Sequence, residues 1–207
     1  MPQIRPFQPG DLDDLYRICL ATGADGGDAG ALYDDPRLLG DVYAAPYAIL
    51  APDCAFVAVD EAGVGGYILG AADTRAFETL AEARWWPGLR DAHADPTGTP
   101  HRQWTADQRL AWLIHHPPAA PDDLVAAWPS HLHIDLLPRL QGRGAGRRMI
   151  DHWLGRMNEL GSPGVHLGVG EANRRARRFY AARGFTAPRL AAPPPRGVVW
   201  LAIGLGA

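Results

Sequence analysis

Apolar positions recur along the chain with two periods, and each period marks an element. Gln3–Pro6 reads as a short first strand. Leu12, Leu15, Tyr16, Cys19 and Leu20 fall on one face of a helix over Leu12–Leu20. Asp34-Asp35-Pro36 opens a second helical segment that runs to about Tyr43. Cys54–Asp60 and Val64–Ala71 are apolar runs joined by Glu61-Ala62-Gly63, the pattern of a hairpin. Thr74–Arg84 returns to the helical period. His131–Leu137 forms the central strand, and Gly144–Leu160 a helix with Ala145, Met149, Ile150, Trp153, Leu154, Met157 and Leu160 at helical spacing. Gly161 ends that helix, Val165–Val169 is the next strand, and Asn173 caps a helix to about Arg183, closed by Gly184. A strand, a crossover helix and a strand imply parallel neighbours. Phe185–Pro188 and Val198–Ile203 are expected as closing strands on either side of Pro193-Pro194-Pro195.

Breakers and small residues qualify this outline. Pro46 and Pro52 interrupt the segment after Tyr43, and Trp85-Trp86-Pro87-Gly88 interrupts the helix after Arg84. From there to Ser130 the pattern is irregular, with one helix expected over Thr105–His115 and Thr105 as its N-cap. Trp85, Trp86, Trp104 and Trp112 lie in this insertion, and most are expected to build its satellite core. Gly65 and Gly66 weaken their strand, which points to a bulge or a close backbone approach. Thr22–Gly30 reads as a plain loop, because Asp25 and Asp28 lack the ligand spacing of a calcium loop.

At 207 residues the chain is long enough for one domain, 1–207, with an insertion over about 74–130. The start lacks the basic and apolar regions of a signal peptide, and no run approaches the ~18 apolar residues of a membrane span. A cytoplasmic protein with no membrane partner is expected, with Cys19 and Cys54 as buried thiols. The net charge of −3 conceals an asymmetry. Residues 1–138 hold 8 Arg and 20 Asp and Glu, and residues 139–207 hold 12 Arg and 3 Asp and Glu. One reading places an anionic ligand on the C-terminal part and a cationic one against the N-terminal part; the other is a pair of solvated faces. All 20 basic residues are Arg, so no lysine serves as base or nucleophile.

The basic part begins at a loop with Gly142, Gly144 and Gly146, between the central strand and a helix. A helix N-terminus presents unpaired N–H groups and the positive end of its dipole, so an anion, usually a phosphate, is the natural guest. A Walker A motif is absent, since no Lys follows, and the spacing and late position do not suit a dinucleotide fingerprint.

Gln141-Gly142-Arg143-Gly144-Ala145-Gly146 resembles the Q/R-x-x-G-x-G/A signature of the GNAT N-acetyltransferases, with Pro138 just before it. Asn173-Arg174-Arg175-Ala176-Arg177-Arg178-Phe179-Tyr180, continuing to Phe185, resembles that family's N-x-x-A-x-x-[FL]-Y-x-x-x-G-F motif. The two motifs span residues 131–186. Ala76–Pro87 and His131–Arg148 further resemble bacterial acetyltransferase-like relatives of the human O-GlcNAcase C-terminal domain. The resemblance implies an α/β GNAT fold: a mixed, mostly antiparallel sheet split in a V and flanked by helices. It also implies acetyl-CoA as co-substrate and no metal. The N–H groups from Gln141 to Arg147 would hold the pyrophosphate, and the free backbone of Leu136 and Leu137 would pair with pantetheine. Arg143, Arg147 and Arg183 would reach phosphates, and Asn173, Ala176, Phe179 and Tyr180 would complete the cofactor-binding set.

For chemistry, Tyr180 matches the family's tyrosine and is the candidate acid for the leaving thiolate. Many members carry Glu where Gly168 stands, so a carboxylate base there is missing. His131, His133 and Asp135 alternate and share one face of the central strand. His133 or Asp135 is the candidate base, Glu171 is a further one, and an amine that binds neutral needs none. The resemblance implies transfer of an acetyl group to an amine by direct attack in a ternary complex. The acidic N-terminal half and the Trp-bearing insertion would form the acceptor side. A non-catalytic acetyl-CoA-binding domain is the second reading. Nucleic acid is not an expected partner, and a homodimer is compatible with either reading.

Overall fold

The computed structural model describes residues 1–206. Six strands form one sheet in sequence order: β1 (Gln3–Pro6), β2 (Phe56–Asp60), β3 (Gly63–Ala71), β4 (Ser130–Leu136), β5 (Gly164–Gly170) and β6 (Val198–Gly204). Every neighbouring pair is antiparallel except β4 with β5. That parallel pair is in register only at Ser130 with Val165 and His131 with His166, after which the strands diverge. The V-shaped split therefore opens before Leu132.

β3 is buried along almost its whole length because both faces of the sheet are covered. Tyr67 and Leu69 point into a core with Leu15 and Ile18 of α1 (Leu12–Thr22) and with residues of α2 (Leu38–Tyr43) and α3 (Ala45–Leu50). Ile68 points the other way, into a core with Leu132 and with Met149, Ile150 and Trp153 on α8 (Ala145–Glu159). A side-chain period of two on the strand thus feeds two separate cores. Between Ala58 and Val59 the β2–β3 register shifts, leaving Gly65 as the extra residue of a bulge. A Cβ on Gly65 would also sit 2.9 Å from Leu140 Cδ1, so bulge and close approach coincide there. Cys19 and Cys54 are free and buried.

The insertion between β3 and β4 is more helical than its prolines suggest. It carries α4 (Thr74–Arg84), α5 (Trp86–Ala92), α6 (Ala106–His115) and α7 (Asp122–Ala127). Asp73 caps α4 through Ala76 N–H at 2.9 Å, and Thr105 caps α6 in a capping box with Gln108. Pro87 does not break the chain into irregular structure; it stands in the first turn of α5, where the missing N–H costs nothing. Pro46 stands likewise at the start of α3, and the helical segment expected from Asp34 begins only at Leu38.

The C-terminal part follows the expected strand–helix–strand order, with α9 over Arg174–Ala181. α8 ends in a Schellman pair: Ser162 N–H to Met157 O and Gly161 N–H to Asn158 O, both 3.0 Å, with Gly161 at φ 76°. Phe185–Pro188 is not a strand. Only Thr186 bridges Ala202, through two bonds of 2.9 and 2.8 Å, and Pro188 has no N–H to extend the ladder. Leu160, expected on the buried face of α8, is exposed.

Trp153 joins this layer to the strands, being fully buried with its Nε1 donating to Cys54 O at 2.9 Å. Trp153→Ala is expected to cost about 3–5 kcal/mol through a cavity and an unpaired carbonyl, read as a lower urea midpoint with an unchanged m-value.

Candidate active site

Past Leu136 the chain makes a tight 3-10 turn over Pro138–Leu140 and enters the glycine loop. Gly142 and Gly144 have φ of 71° and 79°, where a side chain is strained. Gly144 is the N-cap of α8, and the first bond into the helix runs from Arg148 N–H to Gly144 O at 3.1 Å. The N–H groups of Ala145, Gly146 and Arg147 therefore have no partner within the helix and carry its positive dipole end. Gly146 serves a different need. A Cβ there would lie 3.0 Å from Leu136 Cδ1 and 3.3 Å from Phe179 Cζ, so its bare backbone lets α8 press against β4 and α9.

These amides open on a cleft of about 800 Å³. Leu136, Gln141, Gly142, Gly144, Gly146, Arg147, Asn173, Ala176, Phe179, Tyr180 and Arg183 all line it, and so do His133 and Asp135. Three expected members do not. Arg143 is exposed, Ala145 is buried in the core under the loop, and Leu137 is buried with its N–H donating to Gly65 O at 2.8 Å. Leu137 is thus committed to β3. By the alternation of an antiparallel ladder, Ile134 and Leu136 turn their backbone groups toward the open side. The free edge is Ile134 with Leu136, not Leu136 with Leu137, and only the observed pairing parity reveals it.

Gln141 also departs from expectation. Its N–H donates to Pro138 O at 3.1 Å, so it offers no amide to the loop. Its side chain is a brace instead: Nε2 donates to Leu136 O, and Oε1 accepts from Arg175 Nη2. Arg175 joins Arg147 and Arg183 on the cleft wall, where Arg183 also pairs with Asp151 at 3.4 Å. Asn173 caps α9 through Ala176 N–H at 2.9 Å. The opposite wall includes the tip of the Thr22–Gly30 loop. There Ala24 and Gly27 exchange bonds of 3.0 and 2.9 Å around Asp25 (φ 52°) and Gly26 (φ 90°). Nothing local in the sequence placed this turn beside the loop.

The polar face of β4 is organised by one tyrosine. Tyr47 on α3 places its hydroxyl 3.2 Å from His131 Nε2 and 3.1 Å from His133 Nε2, and Thr74 Oγ1 lies 2.7 Å from His131 Nδ1. Directions follow from valence. Thr74 donates its only hydroxyl proton to Pro129 O at 2.7 Å, so it accepts from His131 Nδ1–H. Burial holds the His131 pKa well below its ordinary value, so its Nε2 is bare and Tyr47 donates to it. The Tyr47 oxygen must then accept from His133 Nε2–H. Burial lowers the His133 pKa to about 4, which leaves its Nδ1 as a free lone pair. The tautomers are assigned by this chain of bonds.

A second cavity of about 740 Å³ lies on the other side of the split. Tyr43 and His133 line both spaces, so the two meet at those residues. Its walls include Phe77 and Trp86 from the insertion, the turn Pro117–Pro121, and Trp200 on β6. Gly168 lies beneath Trp200; a Cβ there would already be 3.2 Å from the Trp200 ring, so the indole takes the space a Glu would need. The Trp200 Nε1 is buried without a partner, a cost of about 1–3 kcal/mol that leaves the ring face along the cavity.

Asp135 accepts from Tyr67 at 2.6 Å. Burial raises its carboxyl to about 6, with Tyr67 and Thr22 opposing the rise. Burial also raises Tyr180, and nearby Asp135 adds to it, so the phenol keeps its proton. Cys19, also on the cleft wall, is pushed up to about 12 by burial, then by Asp135, and stays a thiol. The Asp135 shift has a stability consequence. Between the ~3.9 of an unfolded Asp and about 6, the folded protein holds a proton that the unfolded chain has lost. The associated stability is complete below the unfolded value and disappears as pH rises through 6. Asp135→Asn should therefore be more stable than the parent by about 1–2 kcal/mol at pH 8 and nearly equal to it at pH 4, as measured by urea unfolding at both pH values.

Known proteins share this architecture. The model of the acetyltransferase (GNAT) family matches residues 33–185. The crystal structure of SsHAT is similar over 98% of each chain, with a TM-score of 0.88 and 38% identity. The polyamine N-acetyltransferase of Drosophila melanogaster, which forms N-acetylagmatine, is 20% identical, with a TM-score of 0.56 over 99% of this chain and 100% of that one. Protein O-GlcNAcase of Rattus norvegicus is 26% identical over 183 residues, which are 87% of this chain and 20% of that protein. The chain thus spans about a fifth of the length of that relative. With its split mixed sheet, its glycine loop at a helix N-terminus and these matches, the chain belongs to the acetyltransferase (GNAT) family.

Proposed function

We propose that the protein is an acetyl-CoA-dependent N-acetyltransferase that acetylates an amine by direct attack in a ternary complex. The observation that carries this reading is the meeting of two cavities at the β4–β5 split. One is lined by free amides and three arginines, the other is largely apolar, and His133 and Tyr43 stand between them. The first suits the diphosphate end of acetyl-CoA: N–H groups of Ala145 to Arg147 point one way, and Arg147, Arg175 and Arg183 add charge-assisted donors. Ile134 and Leu136 offer backbone groups in the manner of an added strand edge, suited to the amide-bearing pantetheine.

Each protein group then has one task. His133 Nδ1, bare and oriented through Tyr47, accepts the proton that the amine nitrogen loses as it bonds to the thioester carbon. Tyr180 donates its proton to the sulfur as the carbon–sulfur bond breaks. An amide and a free thiol result, and the proton on His133 returns through solvent to Tyr180. With Gly168 under Trp200, no carboxylate on β5 competes for the base role. Asp135 faces the acetyl-CoA side alone and holds Tyr67.

Acetyl-CoA at 100 times its Kd should raise stability by about 2.7 kcal/mol, seen as a higher melting temperature. Gly144→Glu, which adds a strained backbone and a negative charge at the loop, should abolish the rise; a parent protein with no shift would sink the cofactor assignment. Free-thiol release across an amine panel tests turnover. His133→Gln, which can still reach Tyr47, and Tyr180→Phe should each lower kcat about 100-fold while leaving the acetyl-CoA shift in place. Unchanged rates in either variant would remove that residue from the chemistry.

A further inference from the structure

The second cavity is specific enough to name the class of amine. We propose that the acceptor is a small primary amine with a single charge at one end of an apolar, aromatic body; this rests on the acetyl-transfer reading above. Volume is the first ground. About 740 Å³ is the range of a small-molecule pocket rather than a groove for an extended chain. Lining is the second. Apolar surface comes from Phe77, Leu113, Trp86 and Trp200, and rigid wall from the Pro117–Pro121 turn and from Pro193 and Pro195.

Charge is the third and most selective ground. The cavity touches two carboxylates, Glu78 and Glu82, and both are committed. Glu78 Oε2 accepts from Arg75 at 2.6 Å and its Oε1 from Ala120 N–H at 3.1 Å, while Arg75 also pairs with Asp122, which lies exposed to solvent. Glu82 takes both guanidinium nitrogens of Arg90. The histidines on its wall are held by neutral partners: His131 and His133 by Tyr47, and His166 by Trp128 O. A second ammonium on the acceptor would lose its water and meet only carboxylates already bonded to Arg75 and Arg90. The rings do not form a cage for one either, since Tyr47 and Phe77 stack on each other at 4.4 Å and both lie edge-on to His131. The reacting nitrogen has a polar destination at the His133 end, and a further imidazole facing the cavity, His166, is neutral and bonded through Nδ1 to Trp128 O. Polyamines and lysines in basic peptides are therefore disfavoured, and an arylalkylamine fits. The overall acidity of the N-terminal half does not reach this cavity as free charge.

The test measures thiol release with acetyl-CoA and either 2-phenylethylamine, tryptamine, spermidine or a lysine-rich peptide. In parallel, tryptamine is titrated calorimetrically into the CoA-loaded protein. The aromatic monoamines should exceed spermidine and the peptide in kcat/KM by at least tenfold. Equal or reversed preference overturns the inference and leaves acetyl transfer standing. Tryptamine binding without turnover supports the inference and sinks the transfer reading, whereas neither binding nor turnover overturns the inference. Arg90→Gln, which releases Glu82 at the cavity rim, should raise the spermidine to phenylethylamine ratio several-fold. An unchanged ratio overturns the argument from committed carboxylates.

Discussion

The structure depends on one interruption of hydrogen bonding. β4 and β5 pair at two positions and then separate, although both continue for several residues. Backbone groups left unpaired away from water are costly, so a strand edge in this place demands partners. Among the described residues one side chain answers, Gln141 on Leu136 O. The rest of the edge is left to solvent or ligand. The glycine loop, the N-terminus of α8 and the side chains of Arg147, Arg175 and Arg183 are arranged around that opening, and the two cavities exist because the sheet is not closed there.

The second requirement is neutrality at the split. β4 carries His131, His133 and Asp135 on one face, an unusual load for a half-covered central strand. Fixed donors and acceptors on neighbouring elements make it tolerable: Tyr47 from α3, Thr74 from α4 and Tyr67 from β3. Burial then keeps both imidazoles uncharged and pulls the carboxyl toward its neutral form. The chain from Pro129 O to His133 turns a structural need, pairing buried polar groups, into an oriented lone pair on His133 Nδ1. Local rules are broken where function is expected, and compensation comes from residues far away in sequence.

Legibility varied by element for physical reasons. Helices with strong periodicity and caps, such as α4, α6 and α8, were readable because side-chain spacing and capping chemistry are local. Pro46 and Pro87 misled, since proline breaks a helix interior yet suits its first turn, and composition does not say which applies. Phe185–Pro188 looked like a strand by apolarity, but pairing is a property of two segments and found only Thr186. In the loop, the three glycines were visible as a group. Their separate reasons, positive φ at Gly142 and Gly144 and close contact at Gly146, emerged only in three dimensions.

By itself, the sequence determined the strand–helix–strand unit, the glycine loop at a helix N-terminus and the alternation that puts His131, His133 and Asp135 on one face. All of these follow from residue spacing within a single element. Tertiary structure decided which backbone groups stay free, because ladder parity passed that role from Leu137 to Ile134. It also set the tautomer of His133, through a tyrosine 86 residues away, and it turned Glu78 and Glu82 toward the second cavity already bonded to Arg75 and Arg90. Spacing along a chain specifies what a segment can form. Hydrogen bonds and ion pairs are each satisfied only a limited number of times, and which partner takes them is settled only when distant segments meet.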